Sequence, residues 1–453
     1  MQVHHDIFKA YDIRGIYNEN LFDETADAIG RAYAKIIQPE TVIVGRDGRT
    51  SGPALFEKLT NALVDVGVNV IDIGMVSTDM YYFACATKRL PGIMITASHN
   101  PKEYNGFKMV KQIPQLLTGD DGITQMRDLI LANDFPEPTT KKGTIKKWDI
   151  MDEFVEKILS LADYTSFKTM KIIADTANGM VGPSLEALFR HIPQIEVVPM
   201  YFEPDGTFPN HGGDPLQVEN RREIQERVPS EHADLGVMFD PDGDRFFTID
   251  SRGRFVSGDF MTAIMSEYFL VKSPGSSIVY DIRASQAVPD KINAKGGTPF
   301  YNRVGHSYIK SKMMKEDAIF GGEVTGHYYF KDFFFCDSGL APLMFLLDLL
   351  SKSEKTLAEI LDEMEQTYHI SGEINTKGVD KDKVFSAIEA KYGPSANQLL
   401  HVDGVSVYFD DWNFNVRASN TEPLVRLNLE ANSDRLMEEK REELLQLIKS
   451  YQS

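Results

Sequence analysis

Cysteine is scarce: Cys85 and Cys336 are the only two in 453 residues, and they stand too far apart for a zinc or redox spacing. They are expected to be buried free thiols, so redox chemistry is not indicated. Positive charge is also in short supply. Lys and Arg number 48 against 67 Asp and Glu, a formal net charge of −19. That balance argues against non-specific nucleic-acid binding, which draws most of its affinity from neutralising phosphates, and any anionic ligand must find a locally positive cleft. Long apolar runs are lacking too. The longest, residues 340–350, is interrupted by Asp348, and the opening Met1-Gln2-Val3-His4-His5 has no apolar signal core. The expectation is a cytoplasmic protein with no membrane partner. The chain contains neither a Walker motif nor a Gly-x-Ser-x-Gly elbow, which disfavours nucleotide hydrolysis and acyl transfer. Gly179-Met180-Val181-Gly182 is too short for a dinucleotide fingerprint and reads as a tight turn.

With 42% hydrophobic and 25% charged residues, the chain has the composition of a folded protein too long for one core. Strand-length apolar runs alternate with helix-period segments from Thr41 to Arg254, the pattern of α/β layers. Strands are expected at 41–44, 68–71 and 93–95 and helices near 53–66 and 122–131, giving a domain 1–147 that closes in the polar stretch 137–147. The same pattern recurs over 148–251, with strands at 171–174 and 235–239, and over 252–371, with a strand at 278–280 and a helix from His306. From 372 to 453 it changes to strands at 404–409 and 424–429, a hairpin-like 413–416 and a final helix 434–450, the reading of a small α+β domain. No strong residue-level repeat accompanies the three similar units.

Four segments carry chemistry. Thr96-Ala97-Ser98-His99-Asn100-Pro101 follows the apolar run Ile93-Met94-Ile95 and places a hydroxyl nucleophile on a turn. Beside His99, and with Lys108 taken to lie on the same loop, Ser98 is best explained as a phosphate carrier. Lys108 is a candidate general acid or base, provided nearby cations lower its pKa. Asp240-Pro241-Asp242-Gly243-Asp244-Arg245 puts three carboxylates at alternate positions, which share one face of an extended segment and suit a hard divalent cation. An EF-hand is excluded, because its position 6 is Arg245 rather than glycine and its position 12 is Ser251 rather than glutamate. Three oxygen ligands leave positions open, as suits Mg²⁺ shared between protein and phosphate. Gly322-Glu323-Val324-Thr325-Gly326-His327 offers a carboxylate and a hydroxyl suited to sugar hydroxyls, while His327 is a candidate to shuttle a proton. Arg417-Ala418-Ser419-Asn420-Thr421 gathers a guanidinium, hydroxyls and an amide suited to phosphate oxygens. A serine, a metal site and several cationic residues together point to phosphoryl transfer.

In this order, from Phe8-Lys9-Ala10-Tyr11-Asp12-Ile13-Arg14-Gly15 to the segment at Arg417, the motifs resemble those of the α-D-phosphohexomutase superfamily. Within it the likeness is to the bacterial phosphomannomutase/phosphoglucomutase group. The resemblance implies an α/β fold of four domains around a central cleft, three related mixed α/β domains plus the C-terminal α+β domain. It also implies interconversion of mannose 1-phosphate and mannose 6-phosphate, with the glucose phosphates in parallel, through a phosphoserine and a hexose 1,6-bisphosphate. Phosphoglucosamine mutase is the rival enzyme reading, although the sugar loop carries Val324 where that group typically has Gln. A sugar-phosphate-binding homologue without turnover is the non-enzyme alternative.

The resemblance distributes roles as well. Ser98 carries the phosphoryl group and joins Asp240, Asp242 and Asp244 in holding one Mg²⁺. Arg14, His99 and Arg245 lie about the phosphoserine, and Lys108 and His327 manage protons. Glu323 and Thr325 bind the sugar's O3 and O4, with Gly305 and His306 on the neighbouring loop. Arg417, Ser419, Asn420 and Thr421 hold the other phosphate, with Tyr11 contributing in part. Arg283 stands where the family usually has lysine, exchanging a compact ammonium for a planar fork in an expected phosphate contact. The expected partners are phosphosugars alone, and the expected state is a monomer, with a dimer as the alternative.

Overall fold

The computed structural model describes residues 3–418 and 424–452. The chain forms two compact units, one from the residues up to Phe255 together with His327–Glu354, the other from Val256–Gly326 together with the residues from Lys355 onward. The division falls inside the expected third domain, between its sugar-loop glycine and His327.

In the first unit a mixed sheet orders its strands Ile13–Ile16, Tyr104–Gln112, Gly92–Ile95, Thr41–Arg46, Asn69–Met75 and Ile145–Lys147. Thr41–Arg46 runs parallel to its two neighbours, while Tyr104–Gln112 is antiparallel to all three of its own, the third being the short Gln115–Leu116. Central strands covered on both faces need apolar residues throughout, and Val42, Ile43 and Val44 are all fully buried. Helices Asp23–Ile37 and Gly52–Asp65 pack together through Ile29, Leu55 and Leu59. Gly30 permits the approach, since a Cβ there would lie 2.9 Å from the Leu59 carbonyl oxygen. One expectation is corrected here: residues 104–108 are the start of a strand rather than part of a loop. The polar stretch in which the first domain closes ends in an edge strand, 145–147. The edge strand is exposed at all three positions, so it carries no hydrophobic signal in the sequence.

A second sheet follows in the same unit. Leu235–Phe239 is parallel to Met170–Asp175 and antiparallel to Phe246–Asp250, and Ile195–Met200 flanks Met170–Asp175 in parallel. The acidic segment is thus the turn of a hairpin and not an extended run, as the sequence pattern had implied. Gly243 takes a φ of +72° and donates its amide to the Asp240 carbonyl at 3.0 Å, which closes the turn and gathers side chains that alternation alone would merely align. The turn expected at 179–182 falls at 177–180, just before helix Val181–Phe189, and it is also a close approach. A Cβ on Gly179 would lie 2.5 Å from Pro241 Cα, and Met180 donates its amide to the Pro241 carbonyl at 2.8 Å.

The returning segment adds the hairpin Tyr328–Phe330 and Cys336–Asp337 and helix Leu340–Lys352. Ser338 Oγ donates to Asp79 Oδ2 at 2.7 Å, and Lys168 N donates to Ser351 Oγ at 2.9 Å. Cys85 and Cys336 are free and buried, as expected.

In the second unit Ser277–Asp281 runs parallel to Thr298–Asn302 and Phe320–Gly322, with helices Gly258–Lys272, Ala287–Ala294 and His306–Lys315 beside them. The C-terminal part is antiparallel, ordered His369–Lys377, Leu424–Ala431, Trp412–Ala418, Val405–Tyr408 and Gln398–Leu400. Helices Lys381–Tyr392 and Asp434–Lys449 cover it around Trp412, Phe414 and Leu427. This is the expected α+β ending, although the hairpin-like 413–416 is a seven-residue central strand. Among the described residues, no helix is long and apolar enough to cross a membrane.

Candidate active site

The segments with expected chemistry in the first unit leave the carboxyl ends of parallel strands, the place where open α/β sheets gather ligands. Ser98 follows Gly92–Ile95 and is 3% exposed. Its φ is +50°, a left-handed conformation that costs a non-glycine residue roughly 1 kcal/mol or more and so requires outside support. Its amide donates to Thr96 Oγ1 at 2.9 Å, and Arg49 donates to its carbonyl at 2.7 Å. Ser98 Oγ donates to Asp240 Oδ2 at 2.8 Å and lies 3.2 Å from His99 Nδ1. Burial, and after it the nearby Arg245 and Arg14 guanidiniums, hold the His99 pKa well below its ordinary value, so the ring is neutral.

Asp240, Asp242 and Asp244 are all but completely buried, and each has a carboxylate oxygen within 4.8 Å of those of the other two. Burial, then the two neighbouring carboxylates, push the Asp240 pKa well up. Burial acts the same way on Asp242, but Lys108 and Thr78 more than offset it and hold that carboxyl below the usual range. Thr78 Oγ1 donates to Asp242 Oδ2 at 2.7 Å and Thr96 Oγ1 does so at 3.2 Å. Asp242 Oδ1 and Asp244 Oδ1 are buried with no hydrogen-bond partner among the described residues. Clustered, desolvated oxygens with unused lone pairs fit a hard divalent cation.

The placement of Lys108 departs from expectation. It lies in strand Tyr104–Gln112 opposite Met94, and its ammonium meets carboxylates instead of cations. Nζ donates to Asp242 Oδ2 at 2.8 Å and also to Asp244. Burial opposes the charge, but the two aspartates outweigh it and raise the pKa, so Lys108 is a charged acid and not a lowered-pKa base.

Arg245 and His327 face each other across an antiparallel bridge. Arg245 Nε donates to His327 Nε2 at 3.2 Å, and His327 Nδ1 lies 3.1 Å from Asp337 Oδ2 and 3.6 Å from Asp244 Oδ1. Arg14 pairs with Asp12 and donates to Asn100 Oδ1 at 2.7 Å, which ties it to the serine loop. Tyr11 stands half-buried in the bend before strand Ile13–Ile16.

The second unit brings together its own expected residues in part. Glu323, 2% exposed, accepts the Gly305 amide at Oε2 over 3.2 Å, so the two loops read as sugar-facing touch each other. His306 opens helix His306–Lys315, and Thr325 lies half-buried in the turn after Phe320–Gly322. Arg283 is not arranged as a free phosphate ligand. Its side chain is 1% exposed, and its fork donates to Asp281 at 3.0 and 2.9 Å, with the third edge on Glu373 at 3.1 Å. Glu373 also accepts from Arg417 at 3.3 Å and from Arg426 at 2.7 Å. Burial would raise its pKa, yet the three guanidiniums hold it low. Ser419, Asn420 and Thr421 lie outside the described residues.

Sequence reasoning missed Arg49, Thr78, Asp337 and Glu373. Only Arg49 had a usable signal, the polar Arg46-Asp47-Gly48-Arg49 directly after an apolar run, the same context that exposed Ser98 and Asp240. Thr78, Asp337 and Glu373 meet their partners across sequence distance, with nothing local to mark them.

A buried serine hydrogen-bonded into a three-carboxylate site, on α/β layers, is the arrangement of a phosphotransferase. The chain belongs to the phosphoglucomutase/phosphomannomutase family. Family models for alpha/beta/alpha domains I, II and III and for the C-terminal domain match residues 5–135, 152–253, 257–368 and 373–447. The resemblance read from the motifs is thereby borne out, as is the four-domain fold. A phosphomannomutase of Escherichia coli strain K12 is 39% identical over 448 residues, covering 97% of this chain and 98% of that protein. The crystal structure of a phosphoglucomutase/phosphomannomutase family protein from Burkholderia thailandensis superposes with a TM-score of 0.88 at 31% identity, over 99% of this chain and 98% of the other. An Aspergillus fumigatus N-acetylphosphoglucosamine mutase in complex with GlcNAc-6P and magnesium shares the fold alone, at 12% identity and a TM-score of 0.64, over 100% of this chain and 96% of that one.

Proposed function

We propose that the protein is a phosphohexomutase interconverting mannose 1-phosphate and mannose 6-phosphate, and likewise the glucose phosphates, with Ser98 as the phosphoryl carrier. The observation that carries this reading is the 2.8 Å bond between the buried Ser98 Oγ and Asp240 Oδ2, within a cluster of carboxylates that already includes a lysine ammonium. Phosphorylated Ser98 gives its group to the free hydroxyl of a sugar monophosphate, forming a hexose 1,6-bisphosphate. The bisphosphate then returns its other phosphate to Ser98.

Asp240, Asp242 and Asp244, with an oxygen of the phosphoserine, would hold one Mg²⁺. When bound, that ion offsets the charge developing on the phosphoryl oxygens. Lys108, kept charged by its aspartates, donates toward the transferred group, while Arg245 and Arg14 neutralise the phosphoserine side. His327 takes or returns the sugar hydroxyl proton at Nε2, once Arg245 Nε turns from that nitrogen toward the phosphoserine. Glu323 and Thr325, with Gly305 and His306, bind sugar hydroxyls shared by mannose and glucose, and Arg417, Ser419, Asn420, Thr421 and Tyr11 engage the phosphate that stays in place. Arg283 supports this group through Glu373 rather than by direct contact. The enzyme acts as a monomer in the cytoplasm, where charged sugar phosphates are retained.

Incubation with radiolabelled glucose 1,6-bisphosphate should place label on Ser98, and Ser98→Ala should abolish both labelling and turnover while remaining folded. Wild-type turnover in that variant would remove the mechanism. Comparing kcat/KM for mannose, glucose and glucosamine 1-phosphates, primed with catalytic hexose 1,6-bisphosphate, separates this reading from a glucosamine-specific enzyme.

A further inference from the structure

Arg49 lies on neither the metal loop nor the serine loop, yet every N–H of its guanidinium has an acceptor. NH1 donates to the carbonyls of Pro101 at 2.6 Å and Tyr104 at 2.8 Å, and NH2 donates to those of Ser98 at 2.7 Å and Asn100 at 2.6 Å. Nε donates to Asp47 Oδ2 at 3.2 Å, and the face of the group stacks 5.3 Å from the Phe208 ring. The residue is 2% exposed. A planar fork with five donors in fixed directions is the one side chain that can hold four converging carbonyls at once. Three of those carbonyls belong to the loop that carries Ser98 in its left-handed conformation, and the fourth, of Tyr104, opens the strand that follows it.

We propose that Arg49 is a positioning residue for phosphoryl transfer: it fixes the backbone of the serine loop so that Ser98 Oγ is presented to the carboxylate cluster in the one geometry used for attack. The proposal rests on the reading of Ser98 as phosphoryl carrier. In the reaction concerned, Ser98 Oγ forms a bond to phosphorus as the bond from phosphorus to a sugar oxygen of the bisphosphate breaks, and the serine proton ends on the released sugar hydroxyl. Arg49 touches none of these atoms. Its effect is therefore on the rate of the transfer step and not on the binding of sugar.

Arg49→Lys keeps the charge but has three donors without the planar spread. With radiolabelled glucose 1,6-bisphosphate in single-turnover mode, labelling of Ser98 in the variant should slow by about tenfold to a hundredfold, the order expected of a misplaced reacting group. The KM for sugar monophosphate should stay within about twofold of wild type. Absence of label on wild-type protein refutes the carrier reading itself. Normal labelling of wild type together with wild-type rates in folded Arg49→Lys, or a loss confined to KM, overturns the role of Arg49. Should Arg49→Lys not fold, Asp47→Asn loosens the same guanidinium from its other side and should slow labelling several-fold, about threefold or more, at unchanged KM. Undiminished labelling there, or failure of both variants to fold, overturns the proposal in favour of a purely architectural arginine.

Discussion

Arg245 and His327 fix each other's state: the guanidinium can only donate, so the 3.2 Å contact from its Nε makes His327 Nε2 an acceptor and leaves the ring proton on Nδ1. That proton points at Asp337 Oδ2, 3.1 Å away. The imidazole is thus held between a donor on one nitrogen and an acceptor on the other, with its tautomer set by Arg245 at the end of the acidic turn and Asp337 on strand Cys336–Asp337.

Replacing Asp337 with Asn should release that choice, because an amide can donate as well as accept. The expected result is a fall in kcat of up to about a hundredfold, the order contributed by a positioned general acid or base, with little change in KM. Steady-state kinetics on the folded variant checks it, and an unchanged kcat would detach His327 from the proton transfer.

The carboxylate cluster should make the enzyme metal-dependent. Exhaustive chelation is expected to stop phosphoryl transfer and added Mg²⁺ to restore it, while Asp244→Asn should raise the Mg²⁺ concentration for half-maximal rate by about tenfold or more. Full activity after chelation would show that the buried, unpartnered oxygens of Asp242 and Asp244 serve another purpose.

Arg283→Lys tests the fork described above. A lysine keeps the charge but cannot reproduce the two parallel bonds to Asp281 and reach Glu373 as well, so at least one of the two carboxylates loses hydrogen bonds in a buried site. The expected cost is about 1–3 kcal/mol of stability, read from denaturant or thermal unfolding. A neutral outcome would restore the view of Arg283 as an exchangeable phosphate contact.

Two buried carboxyls give a pH signature. The Glu430 pKa is pushed up to about 7 from 4.5, first by burial and then by the charge of Asp259, and burial pushes Asp79 up to about 6 from 3.8. Both bind more protons folded than unfolded in the intervening range, so their contribution is complete below the unfolded values and is lost as pH rises through the folded ones. For Glu430 this amounts to a few kcal/mol, about 3 at most. Glu430→Gln should therefore gain stability relative to wild type on going from pH 5 to pH 8. Melting temperatures of the two proteins at both values decide it, and the reverse ordering would contradict the assignment.

The sequence was most informative where a polar cluster directly followed an apolar run. Ser98 and Asp240 to Arg245 announced themselves in this way, because a buried strand ending in charged or hydroxyl groups has few structural uses. The same context at Arg49 went unread, since arginine after a strand suggests a surface before it suggests a clamp on carbonyls. Lys108 was mislocated because Tyr104–Gln112 opens with Tyr-Asn-Gly, which reads as a turn, while pairing on both sides makes it a strand. The environment of Arg283 was beyond reach, for its fork is engaged by Glu373, 90 positions away. Convergence across the fold leaves no local pattern.

The return of His327–Glu354 to the first unit bears on how the chain can be made. A ribosome releases the serine loop and the acidic turn long before His327, Asp337 and Ser338, and it must synthesise part of the other unit in between. Asp79 lacks its Ser338 donor and Lys168 N its Ser351 acceptor until that later stretch emerges. The first unit therefore completes late in translation, and a chain halted after Gly326 should be markedly more protease-sensitive in residues 3–255 than the finished protein. Until residues 340–352 emerge, the apolar surface covered by their buried Leu343, Leu346 and Leu347 stays open in the nascent chain.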